Sequence, residues 1–408
     1  MDYGAISSYF AGVGAKTLAA VDIDPNSSNQ HEFNGVRQLC DILGYDDIKN
    51  IPATYVYLAD ETEPVFDQGA VSWYDARRRH PTRTEFRLYY TDNKAMHLAD
   101  TGDLMVVAIV EGGKAGIEGE LLIIFAKSGS TTESQVRWLF GLGEMSDVRF
   151  SVSETDTRVD AVAAEILEAV GIEVSIPSAA DAFLDDLIAE FGTSFPTGVE
   201  FTSYSVRTLG ELDWKNDPDG CLQAGYDREE LLFRVFERHL LERDFEPFVG
   251  AAFDVDAVLR ISMSAFQRRK SRAGTAFENQ LAYLFDTWGI RFSAQKYTEG
   301  RSRPDFVFPS VEDYHDALFP ASRLTMLGAK TTIKERWRQV LDEADRIEVK
   351  HLVTLEPAVS TNYTQAMKKD NLQLVVPATL LDTFTSEQRL WLMTVREFCE
   401  MVLERQNG

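Results

Sequence analysis

Cysteine is scarce in these 408 residues. Cys40, Cys221 and Cys399 lie far apart, so neither a disulfide framework nor a cysteine zinc site is readable. Long apolar runs are missing too: Leu104 to Val110 and Leu121 to Ala126 fall well short of the roughly 20 residues of a membrane span. No charged stretch followed by an apolar core opens the chain, so neither a leader nor a membrane is expected and a reducing cytoplasm is. The six histidines include no pair at a metal-binding helical spacing. No Gly-x-Ser-x-Gly elbow occurs; the nearest approach, Gly192-Thr-Ser194-Phe-Pro196, lacks its second glycine. The run Gly12-Val-Gly-Ala-Lys16-Thr17 suggests a phosphate loop, but Ala15 interrupts the Gly-Lys pair and no apolar strand precedes it.

Positive charge is also short overall. Against 65 acidic side chains stand 41 basic ones, a net charge of -24 that repels nucleic acid at long range. Between Gln267 and Lys350 the balance reverses to 15 basic against 12 acidic residues, and a second cluster, Arg77, Arg78, Arg79, Arg83 and Arg87, stands in the acidic first half. With 13 lysines to 28 arginines, the composition fits a high-salt cytoplasm or simply an acidic protein.

Short apolar stretches at 53–58, 86–91, 104–110 and 120–127, separated by Gly, Asp, Asn and Pro, predict a compact β domain, a barrel, over residues 1–171. Helical periodicity then begins at 157–170 and continues through 183–191 and 231–241. From residue 175 to 408 the order predicts an α/β domain: helix 275–288, strands 305–308 and 324–330, helix 332–347, strand 351–355, a helix, strand 372–376 and a last helix 386–404.

Arg303-Pro-Asp305-Phe-Val-Phe rises above this background, followed by Lys330 and Glu343. An Asp at the start of an apolar strand, beside a strand ending in Lys, places a hard oxygen ligand and an ammonium at one end of a sheet. Phosphodiester hydrolysis uses that pair: carboxylates hold Mg²⁺ while the lysine stabilises charge or orients water. A second carboxylate would usually precede the lysine by two residues, but Gly328 stands there. The nearest suitable acid is Glu343, expected on the following helix and on one face with Arg336. A solvated, ion-paired charged helix is the plainer alternative.

Arg268-Arg-Lys-Ser-Arg-Ala-Gly274, Thr298-Glu-Gly300, Arg303 to Ser310, Tyr314-His-Asp316, Lys330 to Gln339 and Glu343-Ala-Asp345 together resemble the catalytic domain of the EcoRII family of type II restriction endonucleases. Upstream, Ser28 to Gly35, the Arg77 to Arg87 cluster and Thr101 to Ala108 are similar, more weakly, to that family's effector domain, a DNA-binding pseudobarrel. The resemblance implies a dimerising PD-(D/E)xK nuclease domain that cuts duplex DNA with Mg²⁺, and a companion methyltransferase acting on the same site. It makes Asp305 and Glu343 metal ligands, Lys330 the catalytic lysine, Glu278 an accessory acid and Tyr314 an active-site aromatic. Plainer roles are a solvent-facing Glu278 and a packed Tyr314 with a satisfied hydroxyl. Related enzymes read a CC/GG core after the lysine, where arginine can grip guanine and a carboxylate can accept from cytosine, so Glu335, Arg336 and Arg338 are the expected readers. Trp337 between them is expected in the core. Arg77, Arg79, Arg83, Arg87 and His31 are the expected DNA contacts of the first domain, with Arg83 and Arg87 sharing a strand face with Glu85. A modification-dependent or repair nuclease and a catalytically idle DNA-binding regulator are the competing readings.

Overall fold

Leu104–Val110 (β6) and Leu121–Ala126 (β7) are buried almost throughout. Apolar runs without alternation suit strands covered on both faces. They pair antiparallel inside an eight-stranded sheet of order β2-β5-β4-β3-β7-β6-β1-β8. The other strands are Phe10–Thr17 (β1), Glu32–Asn34 (β2), Ile48–Leu58 (β3), Val65–Asp75 (β4), Phe86–Tyr90 (β5) and Ser151–Val152 (β8). The β3–β7 pair is parallel and every other pair in this sheet is antiparallel. The sheet curls into a half-barrel and leaves two edges. Phe33, Tyr55, Trp73 and Phe125 fill its core. Trp73 stacks on Phe86 at 5.0 Å and donates its indole N–H to the Gly44 carbonyl at 2.9 Å, so the ring is buried without stranding its polar atom.

The structure, a computed structural model, describes residues 3–23, 32–34, 37–111, 120–142, 151–152, 157–172, 174, 178–249, 254–300, 302–333 and 336–408. It divides into two compact units, one formed by Asp2–Val174 with Ala358–Asn362, the other by Ser175–Pro357 with Tyr363–Gly408. Among the described residues no helix is long and apolar enough to cross a membrane. The glycine-rich run at 12–17 lies in β1, and Lys16 is buried with its ammonium 2.7 Å from Asp22, so the lysine is spent on an internal ion pair.

The second unit is built on a six-stranded sheet of order β14-β13-β12-β11-β10-β9. Its strands are Ser293–Ala294 (β9), Phe306–Phe308 (β10), Thr325–Ala329 (β11), Lys350–Val353 (β12), Leu372–Val376 (β13) and Met393–Thr394 (β14). The first three run antiparallel and the rest continue parallel from β11. The helix Val255–Trp288 begins on the Asp254 cap and ends at Gly289, whose φ of 70° suits glycine. It packs on the sheet through Phe285, whose ring lies 5.2 Å from both Phe306 and Phe308.

Two expected helices are corrected here. Among the described residues of 332–347 the α-helix is confined to Trp337–Leu341. The preceding segment is drawn to neighbouring strands instead: Lys330 N–H donates to Val353 O, Thr354 donates to Thr331 O at 3.3 Å, and Ile333 N–H donates to the Glu356 carboxylate. Ala344, at φ 51°, then ends any continuation. The expected helix 386–404 is two, Ser386–Arg389 and Val395–Asn407, each opened by its own capping box, with β14 between them.

Candidate active site

Because β10 and β11 are antiparallel, with Phe306 opposite Leu327, the residue before β10 and the residue after β11 meet at one edge of the sheet. Those residues are Asp305 and Lys330. Asp305 is 7% exposed, and its Oδ2 accepts from the Lys330 ammonium at 2.7 Å and from the Ala329 N–H at 2.7 Å. Its Oδ1 accepts from the Gln295 side-chain amide at 2.8 Å. The same amide nitrogen donates to Glu278 Oε2 at 2.9 Å, so Glu278, on the long helix, faces this edge rather than solvent.

Gly328 explains the displaced acid. A Cβ there would come within 2.9 Å of Val340 Cγ2 and 3.5 Å of Leu352, because the short helix Trp337–Leu341 lies over the strand. No carboxylate fits at that position. Glu343 sits in the turn beyond the helix and not on it, correcting the expected shared face with Arg336. That turn is fixed from two sides. The buried Lys350 ammonium donates to Ala344 O at 3.1 Å and Ile347 O at 2.9 Å, and the Tyr314 hydroxyl accepts the Arg346 N–H at 3.1 Å.

The electrostatics mark Glu343 and Glu278 as members of one carboxylate group. Burial, and then the neighbouring Asp305 charge, push Glu343 up to about 7, with Lys330 and Lys350 opposing. Burial and Asp305 likewise raise Glu278, with Gln295 and Lys330 opposing. Among the described residues no three His, Cys, Asp or Glu side chains form a ready ligand cage. The donor set nevertheless fits Mg²⁺, a hard cation commonly held by one or two carboxylates and otherwise by water and phosphate.

Tyr314 is 1% exposed and packs under the Arg346 guanidinium, 5.5 Å from its ring centroid. Its hydroxyl is used on backbone that carries Glu343, which matches a positioning role. Of the expected readers, Arg336 and Arg338 are exposed. Arg336 donates to Thr332 Oγ1 at 2.8 Å, and Arg338 lies over the face of the fully buried Trp337 at 4.7 Å. Glu335 lies outside the described residues.

In the first unit His31 also lies outside the described residues. The arginines divide into two kinds. Arg87, with a side chain 26% exposed, is committed to Glu32 at 2.6 Å and Glu85 at 2.5 Å. Arg77 pairs with Glu85, and Arg78 with Asp47 at 2.6 Å. Arg79 and Arg83 are exposed in the loop between β4 and β5, and Arg83 precedes the strand, so it shares no strand face with Arg87. Sequence reading missed Gln295, Lys350 and Glu356. A single-sequence signal existed only for Gln295, two residues before Tyr297 in the basic stretch leading to Asp305, and that signal is weak.

Residues 233–399 match the EcoRII C-terminal family model. The chain is 39% identical over 209 residues to the type II restriction enzyme EcoRII of Escherichia coli, a match spanning 50% of this chain and 50% of that enzyme. It is 31% identical over 126 residues to the type II restriction enzyme SsoII of Shigella sonnei, spanning 28% of this chain and 40% of the other. Among solved structures, metal-depleted Ecl18kI in complex with uncleaved DNA is similar at a TM-score of 0.43 and 22% identity, covering 57% of this chain and 85% of that one. A PspGI–substrate DNA complex is similar at a TM-score of 0.43 and 17% identity, covering 52% and 94%. The sequence matches thus span half or less of the length of the two enzymes. Residues 233–399 thus match the EcoRII C-terminal family model, and over about half of its length the chain is similar to type II restriction enzymes.

Proposed function

We propose that this protein is a type II site-specific deoxyribonuclease that makes double-strand breaks by Mg²⁺-dependent phosphodiester hydrolysis at a site with a CC/GG core. It acts as a homodimer, so that two sites cut two strands, and its half-barrel unit binds DNA and regulates cleavage. A methyltransferase acting on the same site protects the host DNA. The observation that carries this reading is the meeting of Asp305, Lys330 and Glu343 at one sheet edge, with the acid displaced from Gly328 to the turn beyond the next helix.

Mg²⁺, when bound by Asp305 and Glu343, polarises a phosphoryl oxygen and makes water more acidic. The chain's own groups do the rest. The Ala329 N–H, Lys330 and Gln295 leave the Asp305 carboxylate little freedom to rotate. Lys330 supplies an ammonium where negative charge develops on phosphorus-bound oxygens, an interaction stronger in the transition state than before it. Lys350 and Tyr314 hold the Glu343 turn. Arg336 and Arg338 offer guanidiniums to base edges or phosphates from the segment after Lys330.

Plasmid and genomic DNA incubated with and without Mg²⁺, followed by mapping of the ends, test the reading. Discrete ends that require the cation and share a CC/GG core are expected. DNA bound but uncut under every divalent cation would make the protein an idle DNA-binding regulator. Cutting only of methylated DNA would make it modification-dependent.

A further inference from the structure

Gln295 follows β9, and its backbone is held opposite Asp305: its N–H donates to the Asp305 carbonyl at 2.9 Å, next to the Ala294–Phe306 register pair. Its φ is 53°, a left-handed conformation that a glutamine seldom adopts. Such conformations persist where surrounding structure overrides the local preference, and they gather at functional sites. Here the outcome is specific. One amide nitrogen donates to Asp305 Oδ1 at 2.8 Å and to Glu278 Oε2 at 2.9 Å, bridging side chains from the sheet edge and the long helix. Both carboxylates are drawn out of water, where like charges repel strongly.

We propose that Gln295 is a positioning residue of the carboxylate group, its amide tying Glu278 to Asp305 so that the two acids stay assembled before any cation is present. The inference deepens the nuclease reading and rests on it for the cation. Two consequences follow from the geometry. Without the tie, repulsion between the acids is offset by Lys330 but no longer by the amide, and neutralising Glu278 relieves it. A cation held by Asp305 must also compete with the amide for that carboxylate, so a chain lacking the tie gains more from the cation than the wild type does.

The experiment is thermal melting of the full chain, metal-free and then with Ca²⁺, for wild type, Gln295→Asn, Glu278→Gln and the double variant. Asparagine suits left-handed backbone but its amide falls one methylene short, so Q295N folds while the bridge is lost. Gln295→Leu serves as a second variant without any donor. Expected is a fall of a few degrees for Q295N, recovered in large part when Glu278→Gln is added, and a larger Ca²⁺ shift in Q295N than in wild type. Additive effects of Q295N and Glu278→Gln, or an equal Ca²⁺ shift in both backgrounds, would overturn the tie. If Ca²⁺ stabilises neither protein, the cation half of the nuclease reading fails, and the metal-free rescue alone decides the role of Gln295.

Discussion

The two units handle charge in opposite ways. In the half-barrel, Arg77, Arg78 and Arg87 are neutralised by Glu85, Asp47 and Glu32 on a partly exposed face, and Arg79 and Arg83 are left to solvent on a loop. At the edge of the second sheet, Asp305 pairs with the Lys330 ammonium, and Glu278 and Glu343 have raised proton affinities because each is buried and feels the Asp305 charge. Exposed ion pairs cost little to form and are worth little, so they mark a surface that can exchange partners. Like charges held together out of water are unfavourable by themselves, and a fold that keeps them points to chemistry there.

The largest expected effect is at the sheet edge. Asp305→Ala or Lys330→Ala should lower cleavage by orders of magnitude while gel-shift affinity for DNA stays nearly unchanged, since the lost charge acts mainly in the transition state. Undiminished cutting by either variant would erase the contrast between the two units. Next in size, Arg336→Ala or Arg338→Ala should cost about 1–3 kcal/mol of discrimination at one guanine. Competition between cognate and random duplexes measures it, and equal weakening on both would make these arginines phosphate contacts.

The arginines of the half-barrel can be set against one another within one unit. Arg79→Ala and Arg83→Ala should each reduce the salt dependence of duplex binding by about one counterion without lowering stability. Arg87→Ala should destabilise by about 1 kcal/mol, because Glu32 and Glu85 each lose one ion-pair partner while Tyr74 and Arg77 remain on them. Chemical denaturation alongside salt titration separates the two behaviours. Loss of DNA binding by Arg87→Ala in a fully stable fold would reverse the assignment.

The same contrast can be sharpened through a pH dependence. Glu343 ionises near 4.5 when unfolded and near 7 when folded without metal, so the folded state binds the extra proton between those values. Stability from this group is therefore fully present below about pH 4.5 and is lost as pH rises toward 7. Glu343→Gln should flatten that part of the curve in chelated buffer. An unchanged slope would place Glu343 in open solvent.

Sequence alone carries the apolar strands β6 and β7, since seven consecutive apolar side chains can only be sheltered on both faces. It carries less of β1 and β4, whose glycines and polar residues obscure the alternation. Asp305 and Lys330 are legible because strand periodicity puts each at a strand end. Glu343 is legible as a residue but not as a location: a charged stretch after Lys330 reads as helix until neighbouring strands capture the backbone of Lys330 and Thr331.

Composition and motif order determined that this chain holds a mainly β unit followed by an α/β unit with an Asp–Lys–Glu set in the second. Only the tertiary structure decided why the second acid is displaced, because the Gly328–Val340 contact joins a strand to a helix that lies over it. Only it separated committed from exposed arginines and brought Gln295, Lys350 and Tyr314 to the acids they position. Strand and helix periods act over a few residues and are written along the chain. These other arrangements depend on hydrogen bonds and contacts between groups remote in sequence, which exist only once the sheets have formed.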